Sequence, residues 1–211
     1  MKPRSYFFAR LLPVLAGLLV GGCTVIPPVQ PDLTRYYVLS GPTVAETANQ
    51  PTTGMLKLGL QSVQIAPYLR RGSLVVRSGE NEVAFANDAR WAEPLEQEIA
   101  SSLRQRLLGV PAVSRVFVPP FPFEPSRDFD ISVYVMRCEG VRVAGGQSVA
   151  RFAATIEIST GGEGEQSVTR KTFIAPDTPW DGKDFGQLVA SLNSAVAALS
   201  QEVIATLPSK K

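Results

Sequence analysis

Two stretches of this chain repeat apolar residues at helical steps, and much of the remainder alternates at the two-residue step of a strand. Leu95, Ile99, Leu103 and Leu107 stand four apart, which predicts an amphipathic helix with a single apolar stripe. Pro94 fits the first helical position, where a missing N–H costs nothing, and Gly109 and Pro111 close the helix. Phe185, Leu188, Val189, Leu192, Val196, Leu199, Val203 and Leu207 predict a second helix over 185–207, ~35 Å long at 1.5 Å per residue. Ala190, Ala195, Ala197 and Ala198 keep its flanks thin, so it can lie close to a sheet.

The strands read by alternation. Residues 35–39 (RYYVL) are aromatic and β-branched, and 41–54 read as a loop. In 55–66, Leu56, Leu58 and Leu60 share one parity while Val63 and Ile65 take the other. A period that changes phase once predicts a bulge near Gln61-Ser62, and Pro67-Tyr68 ends the strand. Residues 73–77 and 82–86 flank Ser78-Gly79-Glu80-Asn81, a hairpin loop by composition. A short strand over 113–118 leads into 119–127, which holds four prolines with Phe121 and Phe123. A three-stranded antiparallel meander follows. Phe129, Ile131, Val133 and Val135 share a face of its first strand, and Phe152, Ala154, Ile156 and Ile158 a face of its second. Val168, Arg170, Thr172 and Ile174 fall in the third. The expected fold class is α+β: a single domain with a mostly antiparallel sheet of about eight strands, covered by two amphipathic helices.

The amino terminus follows neither pattern. Lys2, Arg4 and Arg10 precede an apolar run over 11–20, then Gly21-Gly22-Cys23. A basic n-region, a short apolar h-region and small residues before a cut site predict a signal peptide over 1–22. The run is about half the ~20 residues that cross a bilayer. Cys23 directly after Val-Gly-Gly looks like a bacterial lipobox, in which the thiol is acylated and the chain is cut before it. Each buried acyl CH₂ adds ~0.8 kcal/mol and two chains anchor stably, so Cys23 is the expected lipidation site. Thr24, where an Asp commonly retains enterobacterial lipoproteins at the inner membrane, points to the outer membrane. Three prolines in 24–33 predict an extended tether. The expected organisation is thus a signal peptide (1–22), a lipidated tether (23–33) and a domain (34–208).

Charge and composition narrow the function. Discarding 1–22 removes three of 21 basic residues and leaves 18 against 19 acids, which gives no footprint for nucleic acid. Histidine is absent, so Ser-His-Asp and Cys-His catalysis and His-containing zinc sites are excluded. No cofactor or metal is expected. With Cys23 acylated, Cys138 is the remaining thiol and reads as a small packed strand residue. The nearest acidic cluster, Glu93 with Glu96 or Glu98, sits at a helix N-terminus, where acids are expected for dipole reasons.

Several blocks resemble a known family. Tyr36-Tyr37-Val38-Leu39 is followed by Val63-x-Ile65-x-Pro67-Tyr68-Leu69-x-Arg71, then Leu74-Val75-x-Arg77, then Arg90-Trp91-Ala92-Glu93-Pro94-Leu95 opening a helix. This resembles the PqiC (YmbA) family, the auxiliary lipoprotein component of ABC-type lipid transporters. The family commonly has a Trp in the second meander strand, where this chain reads Arg151-Phe152-Ala153-Ala154. The resemblance implies a non-catalytic lipoprotein at the inner leaflet of the outer membrane. Its implied partner is a tube-forming, MCE-domain channel protein, with the inner-membrane permease engaged indirectly, and some members form homo-oligomeric rings.

On that reading the partner-binding candidates are Tyr36, Tyr37, Tyr68, Leu69, Arg90, Trp91, Phe121 and Phe123. Trp, Tyr and Arg are enriched at binding hot spots. Each has a plainer role beside it. Trp91 would pack the helix entry, one of the two adjacent tyrosines would be core, residues 68–71 would be a solvated turn, and the Phe121/Phe123 loop would fold over its own core. Arg137, Arg142, Arg151, Arg170 and Lys171 read as a solvated basic face. Two other functions compete: a periplasmic lipid carrier, which needs its own apolar cavity, and a cell-envelope enzyme working through paired carboxylates.

Overall fold

The computed structural model describes residues 31–40, 54–123, 126–143, 145–161 and 168–208. The expected signal peptide, Cys23 and most of the tether lie outside the described residues. From Thr34 onward the chain forms one compact unit. In order it holds β1 (Arg35–Tyr37), β2 (Leu56–Ile65), a 3-10 turn (Pro67–Arg71), β3 (Ser73–Ser78), β4 (Val83–Trp91), α1 (Leu95–Leu108), β5 (Val113–Phe117), β6 (Phe129–Arg142), β7 (Ser148–Thr160), β8 (Val168–Ile174), β9 (Thr178–Trp180) and α2 (Phe185–Thr206).

Two long strands organise the sheet. β6 and β7 pair antiparallel along their whole length, from Phe129 opposite Thr160 to Arg142 opposite Ser148. A shift between Val135 and Arg137 divides that ladder in two. In the first part β2 runs parallel beside β6 and carries β5, while β8 covers the far side of β7. In the second part β3 runs parallel beside β6 and leads on to β4 and β1, while β9 covers β7. The fold class is α+β as expected. The sheet is mixed: its longest ladder, β6–β7, is antiparallel, but β1–β4, β2–β5, β2–β6 and β3–β6 are all parallel.

The phase change in β2 has its cause in register. Leu60 pairs with Ile131 and Ser62 with Ser132, so Gln61 is the extra residue of a bulge. The slip turns Val63 and Ile65 toward the same core as Leu58 and Leu60. The β3–β4 hairpin also forms as predicted. Its loop is closed by the Ser78 N–H donating to Glu82 O at 3.0 Å, with Gly79 at φ +81°.

Both helices pack on one face and share one core with the strands. α1 buries Leu95, Ile99, Leu103 and Leu107, the predicted stripe. Pro94 is not its first residue. It sits just outside, at φ −54° and ψ 125°, and its carbonyl accepts from the Gln97 and Glu98 N–H groups. α2 is capped by Asp184, whose Oδ1 accepts from the Gly186 and Gln187 N–H groups. It is long and apolar enough to cross a bilayer, yet Leu188, Leu192, Val196, Leu199 and Val203 are spent on the sheet. Trp180 fills the top of this layer. A Cβ on Gly140 would lie 2.5 Å from its ring, so β6 needs glycine there.

Two strands depart from the sequence pattern. β4 runs to Trp91, five residues past the alternation that ends at Ala86, because β1 pairs with its last three residues. β9, which contains Pro179, was not predicted. It lies on the sheet edge, where a missing N–H is tolerated.

Candidate functional site

The predicted partner-binding residues fall into three places. Around β1, Tyr36 pairs with Arg90 and Tyr37 with Trp91. Tyr36 is 63% exposed and Arg90 is exposed beside it, so an aromatic ring and a guanidinium share one open surface. Their neighbours point inward. Trp91 is buried and Tyr37 packs against the core, because successive residues of a strand face opposite sides. Trp91 is therefore a core residue in the folded domain, and the Arg90-Trp91 pair contributes only Arg90 to the surface.

The second place is the 3-10 turn. Leu69 is fully buried, which corrects the expectation of an exposed apolar turn. Tyr68 is half-buried, and its hydroxyl donates to Met136 O at 3.1 Å, capping the irregular point of β6. Burial and the nearby Glu139 charge push its phenol up to about 12, with Arg77 pulling the other way.

The third place is the proline-rich loop, whose two rings part company. Phe121 is clamped under Arg127, with the guanidinium carbon 3.9 Å from the ring centre. Arg127 is itself locked to Asp130 by hydrogen bonds of 2.6 and 3.0 Å. Phe123 is 97% exposed. The first two places adjoin, because Leu69 and Trp91 line one hollow and the Trp91 N–H donates to Gly72 O at the end of the turn; the proline-rich loop does not line that hollow.

Strand β1 is three residues long and is held from outside the ladder. The Leu39 N–H donates to Glu98 Oε2 at 2.8 Å, and the Ala92 N–H donates to Tyr37 O at 2.8 Å. Arg106 reaches from α1 to Ser40 O at 3.2 Å and to Asn193 of α2 at 3.3 Å. Burial pushes the Glu98 carboxyl above its usual value, against the two backbone N–H groups it accepts. Glu98 thus serves the N-terminal turn of α1 and the end of β1 together.

Sequence reasoning missed the most deeply buried charge among the described residues. Glu139 on β6 is fully buried. It accepts from Arg77 Nε at 2.7 Å and from Arg137 Nη1 at 3.0 Å. The basic tint of the meander is therefore largely paired: Arg151 with Asp177, Arg170 with Glu157 and Lys171 with Glu202, while Arg142 is exposed. The available signal was Arg137-x-Glu139, an acid at an alternate position of an apolar strand. Cys138 between them faces the core, where burial pushes its thiol well up and leaves it inert.

Two open hollows lie beside α1. One of about 170 Å³ lies between the end of β1 and α1, and one of about 280 Å³ between the 3-10 turn and the start of α1. Both fall below the usual size of a ligand pocket, ~300–1,000 Å³.

The model of the ABC-type transport auxiliary lipoprotein component family matches residues 37–204. Among solved structures, protein XCC0632 from Xanthomonas campestris, a DUF330 protein, superposes with a TM-score of 0.63 at 16% identity. The match covers 81% of this chain and 92% of that one. An uncharacterised protein superposes with a TM-score of 0.57 at 18% identity, over 81% and 95% of the two chains. These likenesses show a shared fold. No curated protein matches the chain.

Proposed function

Because this chain belongs to the ABC-type transport auxiliary lipoprotein family, we propose that it is the outer-membrane-anchored, non-catalytic docking component of an intermembrane lipid transport system. The observation that carries this reading is the extent of the family match. It runs from β1 to the last turn of α2, so the family shares the whole fold and not one motif. In this reading Cys23 bears the acyl chains and holds the domain beside the bilayer. An MCE-domain channel protein is the direct partner, the inner-membrane permease is reached through it, and copies of the chain assemble as a ring. Anchoring raises the local concentration of the docking surface, so individual contacts can be weak. The carrier alternative needs a large apolar cavity. The space between sheet and helices is instead occupied by side chains such as Leu58, Ile99, Leu103, Ile156 and Leu192, all buried in one cluster.

Tyr36 and Arg90 are the docking pair proposed here, because they are exposed side by side on β1 and β4. Replacing both with alanine leaves the core untouched and is expected to lower co-purification of the channel protein from solubilised membranes at least tenfold. Full recovery of the channel protein with the double variant would remove this face from the docking role. The anchor is tested separately. Cys23→Ala is expected to abolish metabolic acyl labelling and release the chain to the soluble periplasmic fraction; unchanged membrane fractionation would refute the lipid attachment.

A further inference from the structure

The sheet face turned away from the helices carries a group of residues that the docking role does not use. On β6 and β7, Arg137 stands opposite Ala153 and Glu139 opposite Arg151. The two arginines therefore occupy one diagonal of a four-residue square. Glu139 is shared by two guanidinium groups, those of Arg77 and Arg137. Arg151 is matched by Asp177 through hydrogen bonds of 3.0 and 2.5 Å. Three arginines thus meet two carboxylates, and one positive charge is left in excess.

That excess falls on the open side of the cluster. The Arg137 side chain is 38% exposed against 12% for Arg77, and it commits Nη1 to Glu139. The remaining corner of the square is only the methyl group of Ala153. Beyond it, β8 sets Ile174 opposite Ala153, 69% exposed. Tyr134, also exposed, shares this face on the other side of the β6 irregularity. A cationic corner, a shallow floor and an apolar wall therefore follow one another across three strands.

A guanidinium binds a phosphate oxygen pair through parallel N–H bonds, and methylene groups gain by covering exposed apolar surface. We infer that this face binds an anionic phospholipid, with the phosphodiester on the open edge of Arg137 and the start of an acyl chain across Ala153 onto Ile174. The choice of a lipid rests on the transport reading above; the anionic head and apolar neighbour rest on the charge excess and on Ile174. Glu139 acts here as a positioning residue that holds Arg137 through Nη1, while Asp177 occupies Arg151 and keeps it from sharing Glu139.

The test uses the purified full chain carrying Cys23→Ala, titrated calorimetrically with dihexanoyl phosphatidylglycerol below its micelle concentration. Saturable binding is expected, weakened at least tenfold by Arg137→Ala and several-fold by Ile174→Ser, with circular dichroism showing both variants folded. Dihexanoyl phosphatidylcholine, which carries no net charge, is expected to bind at least tenfold more weakly. Absence of binding, equal affinity for the two lipids, or indifference to Arg137→Ala would each overturn the site. Competition by inorganic phosphate at the same concentration as the lipid would overturn it as a lipid site and leave an anion site only. Co-purification of the channel protein is a separate readout. If the parent chain binds no lipid while channel co-purification stands, this inference alone falls; if it binds lipid but captures no channel protein, the docking role alone falls.

Discussion

Glu139→Ala is expected to destabilise the domain by about 3–5 kcal/mol, the usual loss when one partner of a buried ion pair is removed. The carboxylate is wholly buried and serves two guanidinium groups at once. Its removal strands Arg77, which is nearly enclosed between Glu139, the Tyr68 ring and the Glu80 carbonyl. Arg77 cannot swing to water without unseating Tyr68, whose hydroxyl caps the irregular point of β6. Arg137→Ala should behave differently and cost less than about 1 kcal/mol, because Glu139 keeps Arg77 and the lost group is partly exposed. Urea unfolding of the two variants measures the contrast. Equal small losses for both would mean that Glu139 holds nothing together.

Trp91→Ala carries the second large effect, about 3–5 kcal/mol for emptying a large buried aromatic site, with a Tm fall on the order of 10 °C. Trp91 ends β4, and its N–H donates to Gly72 O at 2.8 Å. It stands beside Tyr37 in the β1–β4 pairing, so its loss loosens β1 as well as the core. Thermal unfolding followed by circular dichroism checks the size. Partner recovery, normalised to folded protein, is expected to be unchanged. A stable Trp91→Ala domain that fails to capture the channel protein would instead place the indole in the interface.

Residues with a local signature were legible in the sequence, and those defined by a distant partner were not. The Gln61 bulge announces itself as a parity change between Leu60 and Val63. The stripe of α2 is long enough to read without any partner. β1 and the end of β4 gave a weaker signal, because three residues of parallel pairing supply no period of their own. Leu69 and Trp91 were ambiguous for the same reason: each lies at an element boundary, where alternation no longer says which side is in. Glu139 was hidden more deeply. Arg77, which neutralises it, lies 62 residues away in the chain, and only the parallel pairing of β3 with β6 brings them together. Parallel neighbours need long connections, so no local pattern records them.

The placing of β6 at the centre of both halves bears on the order in which the chain can become rigid. β2 and β3 share no ladder with each other; each pairs in parallel with a strand that begins only at Phe129. Closing such loops costs entropy before any distant pairing rewards it. The segment that leaves the ribosome first therefore has a local hairpin, β3–β4, but lacks the central strand on which its sheet is built. The first half of the polypeptide thus stays slack until the second half supplies the strand that both of its parallel ladders need.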